Sequence, residues 1–137
     1  MDATNGQVIH SLNRIHTADV VGSAQTRYSG TLPLTVDQVS GNNFRLRETG
    51  RGGGIQTLNC QTGTDYLLAV DFTDANNVWN NVNPAQDECA PDAHIGTEAT
   101  YDYYHLLYGW DSYDDLNSPL LSYVHYDVAF GNAFWDG

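Results

Sequence analysis

Short runs in which apolar and polar residues alternate dominate the first half of the chain. Four of them, AQTRYSG, LPLTVDQV, NFRLRET and IQTLNC, lie between about residues 20 and 70 and have the alternation or the β-branched content of strands. Gly30, a Gly-Asn-Asn turn at 41–43 and a glycine-rich stretch at 50–54 separate the runs. The pattern predicts an antiparallel β-meander.

The periodicity changes in the second half of the chain, where one helix is predicted. It begins near Pro84 or Pro91, because proline suits the first helical turn, and it ends at Gly109, a favourable residue just past a helix end. Small and aromatic residues recur at helical spacing and predict a packing face, formed by Ala93, Thr97, Thr100, Tyr101, Tyr104 and Tyr108.

Three ionisable residues of the same helix, His94, Glu98 and Asp102, follow one another at intervals of four and share a second face. Either this face is solvated, with a hydrogen bond between His94 and Glu98, or it binds a metal ion. The solvated face is the favoured interpretation, because charged residues are mostly exposed.

The two ends of the chain have hairpin patterns. At the C-terminus, VHYDVAFGNAFWDG (124–137) alternates, turns at Gly-Asn and continues as a short aromatic strand. At the N-terminus only four residues precede an Asn5-Gly6 turn, so we expect most of the partner strand upstream and Met1 to be an artificial or truncated start. The predicted fold class is α+β: mainly an antiparallel β-meander, with one long helix and a C-terminal β-hairpin.

The charge of the chain is strongly negative and unevenly placed. The formal net charge is -12, with 17 acidic residues against five arginines and no lysine. Every arginine precedes residue 65, and the second half is purely acidic. This excludes nucleic acid as a favourable partner and suits a cation, a cationic partner segment or simply solubility outside the cell, the last being favoured. No apolar run is long enough to span a membrane.

A polar connection around residues 71–90 offers oxygen ligands. Asp71, Asp74 and Asn76 lie close together but do not follow the spacing of an EF-hand loop. They fit a weak surface calcium site, with Asp71 and Asp74 as ligands. A metal-free turn rich in Asn and Asp fits as well and is favoured.

The two cysteines, Cys60 and Cys89, lack the C-x-x-C spacing of a zinc knuckle or a thioredoxin-type motif. Together with the low pI and the absence of lysine they favour a secreted protein with a Cys60–Cys89 disulfide. Two unrelated buried thiols are the alternative.

No complete catalytic motif is present. The sequence contains neither H-E-x-x-H nor G-x-S-x-G. The glycine-rich stretch around Arg51 lacks the Gly-Lys-Ser/Thr ending of a phosphate loop, so it is interpreted as a flexible turn.

Three stretches, DAHIGTEATYDYYHLLYGWDSYD (92–114), SYVHYD (122–127) and GNAFWDG (131–137), resemble consecutive segments of the thermolysin-like zinc metalloendopeptidases in order and spacing. A weaker likeness extends over residues 1–70. The resemblance implies that residues 1–18 are the end of a prodomain with its processing region. Residues 19–137 would then be the N-terminal β-rich domain of such an enzyme, truncated before the zinc helix.

The resemblance also implies a function for the end of the chain. There the family has an edge strand on which peptide substrate lies antiparallel. Asn132 would bind the substrate backbone through its side-chain amide, Ala133 would offer its carbonyl, and Phe134 and Trp135 would shape and back the cleft. Core aromatics of an ordinary hairpin are the alternative for Phe134 and Trp135. Asp127 and the Phe130-Gly131 pair depart from the family pattern.

The expected function is therefore that of an N-terminal fragment of a secreted metalloendopeptidase, which hydrolyses peptide bonds with zinc-activated water when intact. Its implied partners are peptide or protein substrates and the missing C-terminal half, which would carry the Zn²⁺ ligands. The chain alone is expected to be inactive. The alternative is a self-contained acidic extracellular binding module, stabilised by Ca²⁺.

Overall fold

The computed structural model describes residues 18–136. Its strands, in chain order, are β1 (Ala18–Gln25), β2 (Thr31–Ser40), β3 (Asn43–Arg45), β4 (Arg47–Glu48), β5 (Ile55–Asn59), β6 (Val70–Asp71), β7 (Thr73–Asp74), β8 (Val78–Trp79) and β9 (Leu120–Val124). One long helix, α1 (Cys89–Tyr108), and a short 3-10 helix, Tyr66–Leu68, complete the described elements. Neither of these helices is long and apolar enough to cross a membrane.

The first sheet has the order β7-β3-β2-β1-β8. Its centre is the long antiparallel pair of β1 and β2, which runs from Ala18 opposite Gln38 to Gln25 opposite Thr31. The turn between them closes at Gly30, whose φ of 73° suits glycine, and the Gly30 carbonyl accepts a hydrogen bond from the Thr26 N–H. The antiparallel pairing of the predicted meander is confirmed, but its first strand lies at 18–25, earlier than the predicted run AQTRYSG.

The second sheet is built around β5. Strands β4 and β6 pair antiparallel with opposite ends of β5, while β9 pairs with it in parallel from Ile55–Leu120 to Asn59–Val124. The parallel pairing is possible because α1 lies between β5 and β9 in the sequence and provides the long crossover that parallel strands require.

Helix α1 begins at Cys89, so that Pro91 lies in its first turn and Pro84 lies outside it. Gly109 ends the helix in the left-handed conformation, with φ of 70°, and its N–H donates to the His105 carbonyl. The predicted stop at Gly109 is thus confirmed, as is a start near Pro91.

The main core lies between the first sheet and the start of α1. It consists of Ala24, Leu34, Val36, Phe44, Leu46, Phe72, Trp79 and Ala90. Leu34 and Val36, two residues apart in β2, are both buried and belong to this core. The α+β class, mostly strands with one helix, is confirmed.

The predicted C-terminal hairpin is wrong for the residues that the structure describes. Strand β9 ends at Val124, and residues 125–136, here named the C-terminal segment, contain no strand. His125, Asp127 and Ala129 have φ near 55°, which breaks the extended backbone that a hairpin needs. The Val124 carbonyl is instead bound by the Cys60 N–H, next to the parallel ladder. The hairpin predicted around Asn5-Gly6 lies outside the described residues.

Candidate functional site

The glycine-rich stretch 50–54, here named the Arg51 loop, is a tightly packed turn. A Cβ atom at Gly53 would lie 2.3 Å from the Asn117 carbonyl oxygen, and one at Gly54 would lie 2.8 Å from the Glu48 carbonyl oxygen. Gly54 also has φ of 101°. These positions admit only glycine because other backbone occupies the space. The stretch is a turn, as predicted, and these contacts show that it is closely packed.

Arg51 ties this loop to the helix. Its Nε and Nη2 donate to the two carboxylate oxygens of Asp102, at 2.8 and 3.0 Å, and its Nη1 donates to Glu98 Oε1 at 3.0 Å and to Glu48 Oε2 at 3.2 Å. Nη1 also reaches Thr35 Oγ1 at 3.2 Å. A planar guanidinium with five donors suits such a multiple ion pair, which a lysine would not reproduce.

Glu48 is the most buried carboxylate of this group, with 2% of its surface exposed. Its Oε1 has no hydrogen-bond partner among the described residues. Burial raises the pKa of Glu48 to about 6, although Arg51 acts in the opposite direction. This side chain is thus held as a poorly stabilised anion at neutral pH.

His94 is fully buried and connects the two sheets. Its Nε2–H donates to the Thr35 carbonyl of β2 at 2.9 Å, and its Nδ1 lies 3.0 Å from the Thr57 hydroxyl of β5, which donates to it in that tautomer. Burial lowers the pKa of His94, so the ring is neutral in its structural role.

The helix buries only part of the predicted packing face, in which Tyr101 is buried and Ala93 and Thr97 are half-buried. Its buried residues are Ala90, Pro91, His94, Glu98 and Tyr101. Tyr104 and Tyr108, predicted to pack, are 45% and 61% exposed, whereas the face expected to be solvated lies against β2, β5 and the Arg51 loop. The regular spacing of His94, Glu98 and Asp102 indicated that these residues share one face of the helix. The sequence did not indicate that Arg51 binds this face.

The residues expected to bind substrate lie together on the C-terminal segment and are exposed. The Phe134 and Trp135 side chains are 53% and 65% exposed, so neither is a core aromatic. Phe134 contacts Phe130 with 5.7 Å between ring centroids, and Trp135 contacts Tyr113 edge-on with 5.0 Å. The Asn132 Oδ1 accepts the Ala133 N–H at 2.9 Å.

The two expected calcium ligands are engaged in different interactions. Asp71 pairs with Arg47 and lies 3.6 Å from the Arg45 guanidinium, so its charge is already neutralised. Asp74 Oδ1 accepts the N–H groups of Asn76 at 2.8 Å and Val78 at 3.2 Å, as in an Asx turn. These residues do not fit a calcium ion together. Within residues 18–136 no group of three or more His, Cys, Asp or Glu side chains is arranged to hold a metal ion.

The expected disulfide is not formed: Cys60 and Cys89 are both free thiols. Cys60 is buried beside the end of β9, where its N–H donates to Val124. Cys89 begins α1, and its Sγ lies 3.5 Å from Nε2 of His125. The Nδ1 of His125 in turn lies 3.2 Å from Asn59 Oδ1. The His125 imidazole therefore lies next to the Cys89 thiol, where the predicted disulfide required Cys60.

Comparison with known proteins places this arrangement in a family. The sequence model of the thermolysin metallopeptidase catalytic domain matches residues 21–137. Bacillolysin of Brevibacillus brevis is 31% identical over 137 residues, which are all of this chain and 24% of the relative. Neutral protease B of Bacillus subtilis (strain 168) is 30% identical over 142 aligned residues, covering all of this chain and 26% of the relative.

A third relative, extracellular elastase of Staphylococcus epidermidis, is 28% identical over 142 aligned residues, covering all of this chain and 27% of the relative. The chain thus spans about a quarter of the length of these relatives. The family match takes in the Arg51 loop, helix α1 and the C-terminal segment in one stretch. The chain therefore belongs to the thermolysin family of metallopeptidases.

Proposed function

We propose that this chain is the N-terminal part of a secreted, zinc-dependent metalloendopeptidase and that it contributes one wall of the substrate cleft. The observation that carries the proposal is the exposed C-terminal segment, on which Asn132, Ala133, Phe134 and Trp135 stand together in a chain of this family. Secretion is supported by the relative named extracellular elastase.

The chemistry of the C-terminal segment suits a peptide ligand. Large aromatic side chains that remain exposed supply apolar contact area for substrate side chains. The backbone of residues 131–136 takes part in no strand of the described structure, so its N–H and C=O groups can pair with an extended peptide. The Asn132 carboxamide, which carries both donors and an acceptor, would exchange its local bond to Ala133 for bonds to substrate.

This chain would bind and orient the peptide and would not cleave it. The zinc ion, when bound to its ligands elsewhere in the enzyme, supplies the activated water that attacks the peptide bond. The residues described here do not fit that metal, since no suitable group of ligands exists within 18–136. The 137-residue chain alone is accordingly proposed to be inactive.

A chimera tests the proposal. Residues 21–137 would replace the matching segment of bacillolysin from Brevibacillus brevis, and cleavage of a fluorogenic peptide would be measured alongside the bound zinc. We expect an active chimera in which Asn132→Ala lowers kcat/KM about tenfold or more, the effect of losing one or two hydrogen bonds to substrate. Asn43→Ala, an exposed residue of the first sheet, is the matched control.

Two results would contradict the proposal. A zinc-loaded, folded chimera that cleaves no peptide would remove the assignment to an endopeptidase. An active chimera in which Asn132→Ala and Asn43→Ala behave alike would retain the family activity but exclude a substrate role for the C-terminal segment.

A further inference from the structure

A concave site lies beside the Arg51 loop. A cavity of about 430 Å³, here named the acidic cavity, is lined chiefly by Asp19, Glu48, Arg51, Tyr101, Asp102 and His105. None of these residues belongs to the C-terminal segment proposed to bind peptide. The proposed peptide-binding segment therefore does not account for the acidic cavity.

The charges around this cavity do not balance. Three carboxylates, those of Asp19, Glu48 and Asp102, line it. Arg51 is the lining cation, and it pairs with Glu48, with Asp102 and with the buried Glu98 next to the cavity. His94 behind it is neutral because burial lowers its pKa. His105 at the rim pairs with Asp111 outside the cavity, at 3.1 Å. The remaining negative potential attracts a cation.

Glu48 supplies an independent reason to expect a ligand. Its side chain is 1% exposed and lines the cavity, and its Oε1 has no hydrogen-bond partner within the described residues. A buried carboxylate oxygen without a donor is costly, because it has lost the hydrogen bonds of water and gained none in exchange. A ligand that places a positive charge beside Glu48 would lower that cost.

Gly50 leaves open space between two carboxylates, on the side of Glu48 where Oε2 also accepts from Arg51. A Cβ atom built at this position would lie 3.4 Å from Glu48 Oε2 and 3.7 Å from Asp19 Oδ2. The missing side chain thus marks a space that two acidic oxygens border at ordinary contact distance. Asp19 Oδ2 also accepts the Thr49 N–H at 2.9 Å, which fixes its orientation.

The remaining wall is aromatic and favours an organic cation over a metal ion. The rings of Tyr101 and His105 stack at 5.4 Å between centroids, with 13° between their planes. Tyr101 is buried and its ring is covered by His105, so the half-exposed His105 ring is the surface that can pack against the aliphatic stem of an amine. A metal ion is disfavoured, since no described group of side chains is arranged to hold one.

From these observations we propose that the acidic cavity binds an organic cation of the primary ammonium or guanidinium type, with Glu48 and Asp19 as acceptors on either side of Gly50. The cation can come from a free amine or from a lysine or arginine side chain of another polypeptide. Both sources present the same donor group to the same two carboxylates.

Nuclear magnetic resonance titration of the 137-residue chain tests the proposal. The probes are n-butylammonium, methylguanidinium and N-acetyl-lysine methylamide, at constant ionic strength set with sodium chloride. We expect saturable shifts of the amide signals of Gly50 and Asp19 at pH 7.5, with affinity at least tenfold weaker at pH 5. Protonation of Glu48, whose pKa burial raises to about 6, removes its negative charge at the lower pH. Arg51, Glu98, Asp19, Asp102 and His105 are the other charged or titratable groups around it, and the Glu48→Gln variant shows which part of the pH dependence comes from Glu48.

Two variants and one control identify the site. Glu48→Gln removes the charge, and Gly50→Ala fills the space between the acceptors at distances the fold tolerates. Both are expected to weaken binding at least tenfold, while Asp127→Asn, an exposed acid on the C-terminal segment, is expected to change it less than twofold. Tighter binding of the lysine derivative than of n-butylammonium would indicate a polypeptide source, and equal binding a free amine.

The proposal is overturned if the three probes shift Gly50 and Asp19 no more than sodium chloride does. It is equally overturned if Glu48→Gln, Gly50→Ala and Asp127→Asn bind the probes with the same affinity. Because no step of the titration involves peptide cleavage, either outcome leaves the proposed protease function to be judged by the chimera.

Discussion

The Arg51 loop and the C-terminal segment stand in contrast although both lie on the same 137-residue chain. In the first, Arg51 joins a loop, a strand and the helix through Glu48, Glu98 and Asp102, and most of these groups are buried. In the second, residues 125–136 contain no strand, and Phe134 and Trp135 are more than half exposed. Ion pairs thus stabilise the Arg51 loop, whereas the C-terminal segment, which we propose binds substrate, exposes apolar surface.

The contrast indicates that the Arg51 loop contributes mainly to stability and that the C-terminal segment contributes little to it. A buried ion-pair network is expensive to break, because each remaining charge stays in a poorly solvated place. An exposed aromatic contributes little to the free energy of unfolding, because it is still in contact with water. Substitutions in the two regions should therefore differ in kind, and the following variants test that difference from the largest effect to the smallest.

Arg51→Met should have the largest effect. It leaves Glu48 and Glu98 buried without their cation, and the loss of one partner of such a pair costs about 3–5 kcal/mol of unfolding free energy. Denaturant unfolding followed by circular dichroism measures it. Arg27→Met is the matched control, since Arg27 is more exposed and its ion pair with Glu88 spans 3.6 Å; a cost below about 1 kcal/mol is expected there. Equal costs would mean that the Arg51 network is not what holds the loop to the helix.

Thr57→Val should have an intermediate effect. Valine keeps the shape of threonine but removes the hydroxyl that donates to His94 Nδ1, leaving a fully buried ring nitrogen without a partner. The expected loss is about 1–3 kcal/mol. Thr100→Val is the comparison, because Thr100 is exposed and bonds only to the Gly96 carbonyl of its own helix. If the two variants unfold at the same denaturant concentration, the bridge through His94 does not contribute to stability.

The pH dependence of the free energy of unfolding should reveal the protonation of Glu48. Its pKa is raised from 4.5 to about 6, so the folded state binds its proton more tightly than the unfolded state does. Stability from this group is then fully present below pH 4.5 and is lost as the pH rises through 6. His94 acts in the opposite direction, because burial lowers its pKa in the folded state. The free energy of unfolding therefore falls as the pH drops below the pKa of a histidine in the unfolded chain.

Glu48→Gln separates the two effects, because glutamine does not titrate while His94 remains. Between pH 4.5 and pH 7 the stability of Glu48→Gln relative to the natural sequence should rise by about 2 kcal/mol, since one pKa unit corresponds to about 1.4 kcal/mol. Urea unfolding at a series of pH values measures the difference. A difference that stays constant with pH would show that Glu48 titrates normally in the folded protein.

Sequence reasoning recovered the elements better than their contacts. Alternation and glycine turns gave β2 and β5, and Gly109 gave the helix end, because these signals are local. Strand β1 lies earlier than the predicted run AQTRYSG, most of which forms the turn before β2. The face that α1 buries was predicted only in part. Tyr101 is buried as expected, but the face of His94 and Glu98 was predicted to be solvated because its charged partner could not be identified from the helix alone. That partner, Arg51, lies 47 residues from Glu98 in the sequence. Periodicity carries no information about such long-range pairs.

The C-terminal segment was mispredicted for a related reason. Its alternation is a true local signal, but a strand also needs a neighbour to pair with, and a short run alone is marginal. In the structure β9 finds its neighbour in β5, and the residues after Val124 turn away at His125. The family motif Asn-Ala-Phe-Trp was recognisable all the same, since a motif is read from residue identity and order.

Trp135→Ser should have the smallest effect on stability. It tests the C-terminal segment, whereas the preceding variants test the buried interior and the Arg51 loop. Trp135 is 65% exposed and contacts Tyr113 edge-on, so its loss should change the free energy of unfolding by less than about 1 kcal/mol. The same change removes apolar surface next to Phe134, and self-association measured by sedimentation at increasing protein concentration should decrease. Trp79→Ser is the matched control, because Trp79 is only 6% exposed within the main core, and its removal should cost about 3–5 kcal/mol. If Trp135→Ser destabilised the chain as strongly as Trp79→Ser, the C-terminal segment would belong to the core, and the proposal that it is a substrate-binding surface would lose its basis.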